Sequence, residues 1–269
     1  MPKSRSSLPV FPLEIRLTVA AIGTAAHASR EGFYPYLDSS MHTFFNMKEV
    51  TGDDDFHLRG TVTDTLGTIA SSVGKDKFLP YMEKSFQLAF EGMKIDSSRL
   101  RESAFCFFAV MAAVLKDGLI PVLPQIMPPI IEVLNQEDID FGEKVTEDEA
   151  KALLNGGTVV ADSDDDDDES INLNVNSALQ LEKEIAADAL GEIFIYVKEA
   201  FLPYLQTATE QLLELADTFY EGSRKSALSS LWKFVTTLGA LQVNEAWQPG
   251  LPVVCQSFVH GLITENPVA

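Results

Sequence analysis

The chain has 269 residues, 46% of them hydrophobic, and a formal net charge of −20. That much apolar material excludes wholesale disorder, and the negative charge excludes nucleic acid and anionic membrane surfaces, which would repel it. Twelve of the twenty negative charges arise between residues 135 and 176, where fourteen carboxylates face two lysines, so a partner of this segment is basic.

In chain order, the N-terminal MPKSRSSLPVFPLEIRL has only a short apolar stretch, interrupted by Pro9, Pro12 and Glu14, and does not read as a signal peptide. A first helix follows in EIRLTVAAIG around Arg16, and FYPYL from Phe33 starts a second. The alternation continues with HLRGTVTDTLG around Arg59, FLPYM from Phe78, RLRESAFCFF around Arg101 and LIPVLP from Leu119. The longest apolar run, 104–115, is too short to span a bilayer and reads as a buried helix. An acidic segment comes next, with a short helix expected over 147–154 that stops at Asn155, Gly156 and Gly157. It ends in ADSDDDDDES, after which QLEKEIAADAL around Lys183, FLPYL from Phe201 and GSRKSALSSL around Arg224 complete the series.

The basic residues Arg16, Arg59, Arg101, Lys183 and Arg224 are 43, 42, 82 and 41 apart, and the third residue after each is Val19, Val62, Ala104, Ala186 or Ala227. The doubled interval is where the acidic segment lies. Proline at the start of the alternate helices suits a first turn, where its missing N–H is not needed. The unit is helix, turn, helix with a period just above forty, and such a unit must stack on neighbours to bury its apolar stripe. The expected fold is all-α, a stack of helix pairs forming one array over 1–269 with about five or six repeats. A long acidic insertion at 135–176 lies inside one repeat, and the helix after it is expected to begin near Leu181.

These paired helices, each second one with an Arg near its start, resemble HEAT repeats, and the array resembles an α-solenoid of that kind. The segment DDDDDESINLNVNSALQLEKEIAADALGEIFIYVKEAFLPYL is similar to the importin-β (karyopherin-β) nuclear transport receptors, in the importin-four and importin-five branch. The resemblance implies a nuclear import receptor that shuttles between cytoplasm and nucleus. It implies basic cargo, the nuclear localisation signals of ribosomal proteins or histones. Ran-GTP and Phe-Gly nucleoporins are partners that it implies for a full-length receptor. It also implies shallow slots between neighbouring first helices, near Phe33, Tyr36, Phe78 and Tyr81, for Phe-Gly repeats.

A binding face follows from helical spacing. Positions one, five, eight and twelve after each basic residue share one side of the helix. They combine small residues with Asp64, Glu102, Glu184 and Asp188, opposed by Lys225, and add Ser229 and Trp232. Small residues admit an extended peptide backbone, carboxylates accept hydrogen bonds from Lys or Arg, and Trp232 stacks on a Lys stem or a guanidinium. The expected cargo-binding residues are therefore Asp64, Glu102, Glu184, Asp188, Ser229 and Trp232. The acidic loop of Asp162, Asp164, Asp165, Asp166, Asp167, Asp168 and Glu169 serves as lure and partial clamp. The five register-setting basic residues are expected to pair with acids in neighbouring repeats.

No catalytic constellation, cofactor motif or metal site is expected. His27, His42, His57 and His260 share no metal or triad spacing, and a calcium loop from Asp162 fails with Asp167 at position six and Leu173 at position twelve. Cys106 and Cys255 read as buried reduced thiols. The chain is expected to be soluble and intracellular, and not an enzyme. Two other readings of the same features are a HEAT-repeat scaffold for a multiprotein complex and an acidic histone chaperone in which the aspartates carry the function.

Overall fold

A computed structural model describes residues 12–51, 56–136 and 167–241. Among the described residues every regular element is helical, with nine long helices joined by short turns. They are α1 (Pro12–Ser29), α2 (Tyr34–Thr51), α3 (Phe56–Val73), α4 (Met82–Lys94) and α5 (Ser98–Leu115), then α6 (Leu123–Leu134), α7 (Asp167–Val197), α8 (Leu202–Ala216) and α9 (Glu221–Ala240). The odd-numbered helices carry the five register-setting basic residues, and the even-numbered ones follow the aromatic and proline markers. This is the helix pairing of HEAT repeats.

The chain divides into two compact units, Met1–Lys116 and Asp117–Ala269. In the first, α3 packs against both α1 and α5, and α4 packs on α5. In the second, α7 packs against α9 and α6, and α8 packs against α9 and α6. The core of each unit follows the repeat register. Val19, Ala104, Ala186 and Ala227 are completely buried and Val62 is 3% exposed. These small or branched side chains let successive odd helices approach closely, and larger rings fill the space beside them. Phe86, Phe90, Phe107 and Phe108 cluster in the first unit, with Phe90 and Phe108 centroids 4.9 Å apart. Phe194, Phe201 and Phe234 do so in the second, at 4.8–5.3 Å. The window Ser98–Leu134 is long and apolar enough to cross a membrane by length and composition alone. In α5, however, Phe105, Phe107, Phe108 and Met111 are spent on the core.

How an odd helix ends is also repeated. The residue immediately after α1, α3, α5 and α7 has positive φ: Arg30 at 47°, Gly74 at 80°, Lys116 at 51° and Lys198 at 49°. The reversal stops the helix, and a short helical turn then buries Phe33, Phe78, Leu119 or Phe201. Only one of the four positions is glycine, the residue that adopts positive φ without steric cost. At the other three a cation sits beside the negative end of the helix dipole, a partial compensation.

One expectation changes. Helix α7 begins at Asp167, not near Leu181, so Asp167, Asp168 and Glu169 belong to its first turn. The short helix expected over 147–154, together with Asp162 and Asp164–Asp166, lies outside the described residues. Two of the register-setting arginines bond to the turn before their own helix: Arg101 Nη1 approaches Asp96 Oδ1 at 3.4 Å and the Ile95 carbonyl at 3.5 Å, and Arg224 Nη1 donates to the Thr218 carbonyl at 3.4 Å. Long side chains on a helix lean toward its N-terminus, so they meet the turn five or six residues earlier.

Candidate binding face

Neighbouring odd helices are held in register by contacts that repeat at the period of the sequence. In the second unit Ser230 Oγ donates to the Ala187 carbonyl at 2.7 Å, and Ser223 Oγ lies 2.8 Å from Gln180 Oε1, each pair 43 residues apart. The same spacing also relates the even elements of the first unit, where the Tyr81 phenol, in the turn before α4, donates to the Asp38 carboxylate on α2. Close approach of α7 and α9 depends on Gly191, since a Cβ there would lie 2.5 Å from Ser230 Oγ and 2.8 Å from Lys233 Cδ.

This docking decides which of the expected face residues meet solvent. Asp188 and Ser229 are exposed, and each is the sequence neighbour of a partner in the Ser230–Ala187 hydrogen bond. Trp232, one turn along α9 from Ser229, is 56% exposed. A solvated carboxylate, a hydroxyl and an indole therefore stand on two adjoining helices of one unit. Lys225, the one cation of the predicted stripe, is engaged with Glu221 four residues earlier. The Lys225 hydrogen bond and charge hold the Glu221 carboxyl below the usual Glu range.

The other expected residues are placed differently. Asp64, on α3, receives the Arg99 guanidinium from α5, with Nη2 2.5 Å from Oδ2. Glu102 is buried at 7% exposure, with Arg99 Nη1 at 3.9 Å; its position one step after Arg101 points to the helix interface, so it does not line an open face. Glu184 is half-buried, and its carboxylate presses against Gly222 in the first turn of α9, where a Cβ would collide with it. Asp167, Asp168 and Glu169 are in the first turn of α7, and the rest of the acidic run is outside the described residues. Cys106, read as buried, is exposed instead. Cys255 is not among the described residues.

Two residues that shape this electrostatic pattern were not anticipated. Arg99 lies two positions before the register-setting Arg101 and points to a different side of the helix. Lys233 on α9 reaches Glu192 on α7, with Nζ 2.9 Å from Oε1. Their signal in the sequence was only a cation near a helix face already rich in acids. Among the described residues no group of three His, Cys, Asp or Glu side chains is placed to hold a metal ion.

No family model matches the chain. It is 46% identical over 239 residues to the probable importin subunit beta-4 of Schizosaccharomyces pombe, a match covering 87% of this chain and 22% of that protein. It is 27% identical over 255 residues to importin-4 of Mus musculus, covering 90% of this chain and 23% of the relative. The chain thus spans between a fifth and a quarter of the length of these relatives. Among solved structures, it superposes on Kap121p bound to Pho4p with a TM-score of 0.69 at 19% identity, over 93% of this chain and 23% of that one. Kap121p bound to the SUMO protease Ulp1p gives 0.68 at 20% identity, over 94% and 23%.

Proposed function

The chain is an importin-4-like karyopherin sequence, and from that premise we propose that it contributes a cargo-binding surface to a nuclear transport receptor. The cargo is an extended basic peptide, of the kind found in the nuclear localisation signals of ribosomal proteins and histones. The observation that carries this reading is the exposure of Asp188, Ser229 and Trp232 on the adjoining helices α7 and α9. A Lys stem lies along the indole while its ammonium donates to Asp188, and Ser229 bonds the peptide backbone. Glu184, on α7 with its carboxylate against the first turn of α9, adds long-range attraction. The acidic run of Asp162, Asp164–Asp168 and Glu169 raises the local concentration of cations and acts as an auxiliary clamp, so affinity falls with salt. The Kap121p structures with Pho4p and Ulp1p make a protein cargo the natural ligand class. In a full-length receptor this segment works alongside Ran-GTP and Phe-Gly nucleoporins, and shuttles between cytoplasm and nucleus.

The test is a fluorescence titration of a Lys-rich peptide against the wild type, an Asp188→Ala/Trp232→Ala variant, and a chain lacking 160–170. The expected result is an affinity loss of about tenfold or more for the double variant and a partial loss for the deletion. A deletion that abolishes binding while the double variant is unaffected assigns the function to the aspartates alone. Absence of binding by the wild type leaves a scaffold.

A further inference from the structure

We propose that Thr218 is a phosphorylation site for an acidophilic protein kinase, and that Arg224 holds the phosphate at the start of α9. Thr61, Thr207 and Thr218 each have a carboxylate three residues later, at Asp64, Glu210 and Glu221, a placement that suits a kinase with a basic substrate cleft. Only the last of the three lies outside a helix. Thr61 is in α3, where its hydroxyl donates to the His57 carbonyl at 2.8 Å, and Thr207 is in α8. Thr218 is in the turn 217–220 between α8 and α9. Phe219 beside it is 75% exposed, and Tyr220 has extended backbone at φ −76° and ψ 112°. A kinase cleft takes an extended segment, which this turn offers without the unwinding of a helix. Asp217 and Glu214 add acid on the N-terminal side.

The same acids repel a phosphate once it is attached, so a cation of the chain must receive it. Arg224 Nη1 donates to the Thr218 carbonyl at 3.4 Å, which puts a phosphate on that residue within reach of the guanidinium. The first unit already contains such a pairing. There Arg101 engages the Ile95 carbonyl, six residues earlier, and the Asp96 carboxylate, five earlier. Thr218 is likewise six residues before Arg224, but the place of Asp96 is taken by Phe219. Phosphorylation of Thr218 thus supplies, one residue earlier, the anion that this turn does not carry at that place. The positive end of the dipole of α9, a helix of 20 residues, adds to the attraction. In the reaction Thr218 Oγ attacks the γ-phosphorus of ATP, the bond to the departing ADP breaks, and the hydroxyl proton passes to the base of the kinase. None of these residues belongs to the cargo face proposed above, so either reading can fail without the other.

The experiment treats the full 269-residue chain with casein kinase II and Mg-ATP and maps the phosphate by peptide mass spectrometry. Thr218 should be modified and Thr207 should not, and Glu221→Gln should slow modification of Thr218 several-fold. The phosphate on Thr218 should raise Tm by about 2 °C or more. That gain is the Tm difference between treated wild type and treated Thr218→Val, less the same difference before treatment, so phosphates elsewhere cancel. In an Arg224→Gln background the gain should vanish. If Arg224→Gln does not fold, Arg224→Lys, which keeps a charge but loses the planar fork, should retain only part of it. No phosphate at Thr218, equal modification of Thr207, or undiminished modification in Glu221→Gln overturns the proposal. An unchanged or lowered Tm, or a full gain in either Arg224 variant, overturns it as well.

Discussion

Ser230 and Ala187 are 43 residues apart and joined by a 2.7 Å hydrogen bond from the serine hydroxyl to the alanine carbonyl. The interval of the sequence pattern is thus also a physical contact between α7 and α9. Because Ser230 is fully buried, Ser230→Ala should destabilise the second unit by about 1 kcal/mol. Gly191→Ala, which drives a methyl group into Ser230 and Lys233, should cost about 1–3 kcal/mol. Urea unfolding followed by circular dichroism measures both, and an unperturbed Gly191→Ala would show that the helices separate easily.

Asp64 and Asp188 occupy the same place in their repeats, five residues after the basic residue, yet only Asp64 is held by a guanidinium. Asp188→Asn should therefore weaken Lys-rich peptide binding several-fold, while Asp64→Asn changes it less than about twofold. The Arg99–Asp64 pair is partly exposed, with side chains 34% and 36% accessible, so its loss should cost at most about 1 kcal/mol of stability. Calorimetric titration of both variants reads the affinity, and a larger effect at Asp64 would relocate the site to the first unit.

Lys116 closes α5 with φ 51° and ψ −121°, a conformation open to glycine and strained for a residue with a Cβ. Lys116→Gly should stabilise the chain by about 1 kcal/mol, once the greater freedom of glycine in the unfolded state is subtracted. The equivalent turn after α3 already uses Gly74, so Gly74→Lys should be destabilising. Chemical denaturation of the two variants provides the comparison.

Glu221, in the first turn of α9, has its carboxyl pKa lowered chiefly by the hydrogen bond from Lys225. A lowered folded-state pKa means that the pair's contribution is present above the unfolded Glu value and lost as pH falls through the folded one. Lys225→Gln should move the Glu221 titration back up toward the ordinary Glu range, as followed by carboxyl carbon NMR shifts. Full exposure of Glu221 keeps the accompanying change in global stability small.

The helix pairs were legible in the sequence because they depend on local chemistry. Val19, Val62, Ala104, Ala186 and Ala227 recur at the repeat interval and all prove buried, and the proline markers precede the even helices. The start of α7 was misplaced because a run of aspartates reads as mutually repulsive and so as a loop. The face was only half legible. Asp188, Ser229 and Trp232 stand exposed as spacing on one helix suggests, but Glu102 turns inward and Asp64 meets Arg99.

The sequence by itself determined the period, the alternation of helices and the residues that form each core, because side chains on one face of a helix recur at fixed spacing. The tertiary structure alone decided which carboxylates keep their charge available. Arg99 is 35 residues from Asp64, and Gly222 is 38 from Glu184, so neither neighbour is visible in a helical pattern. Electrostatic availability depends on distance and burial between helices, and those are fixed only when the helices dock.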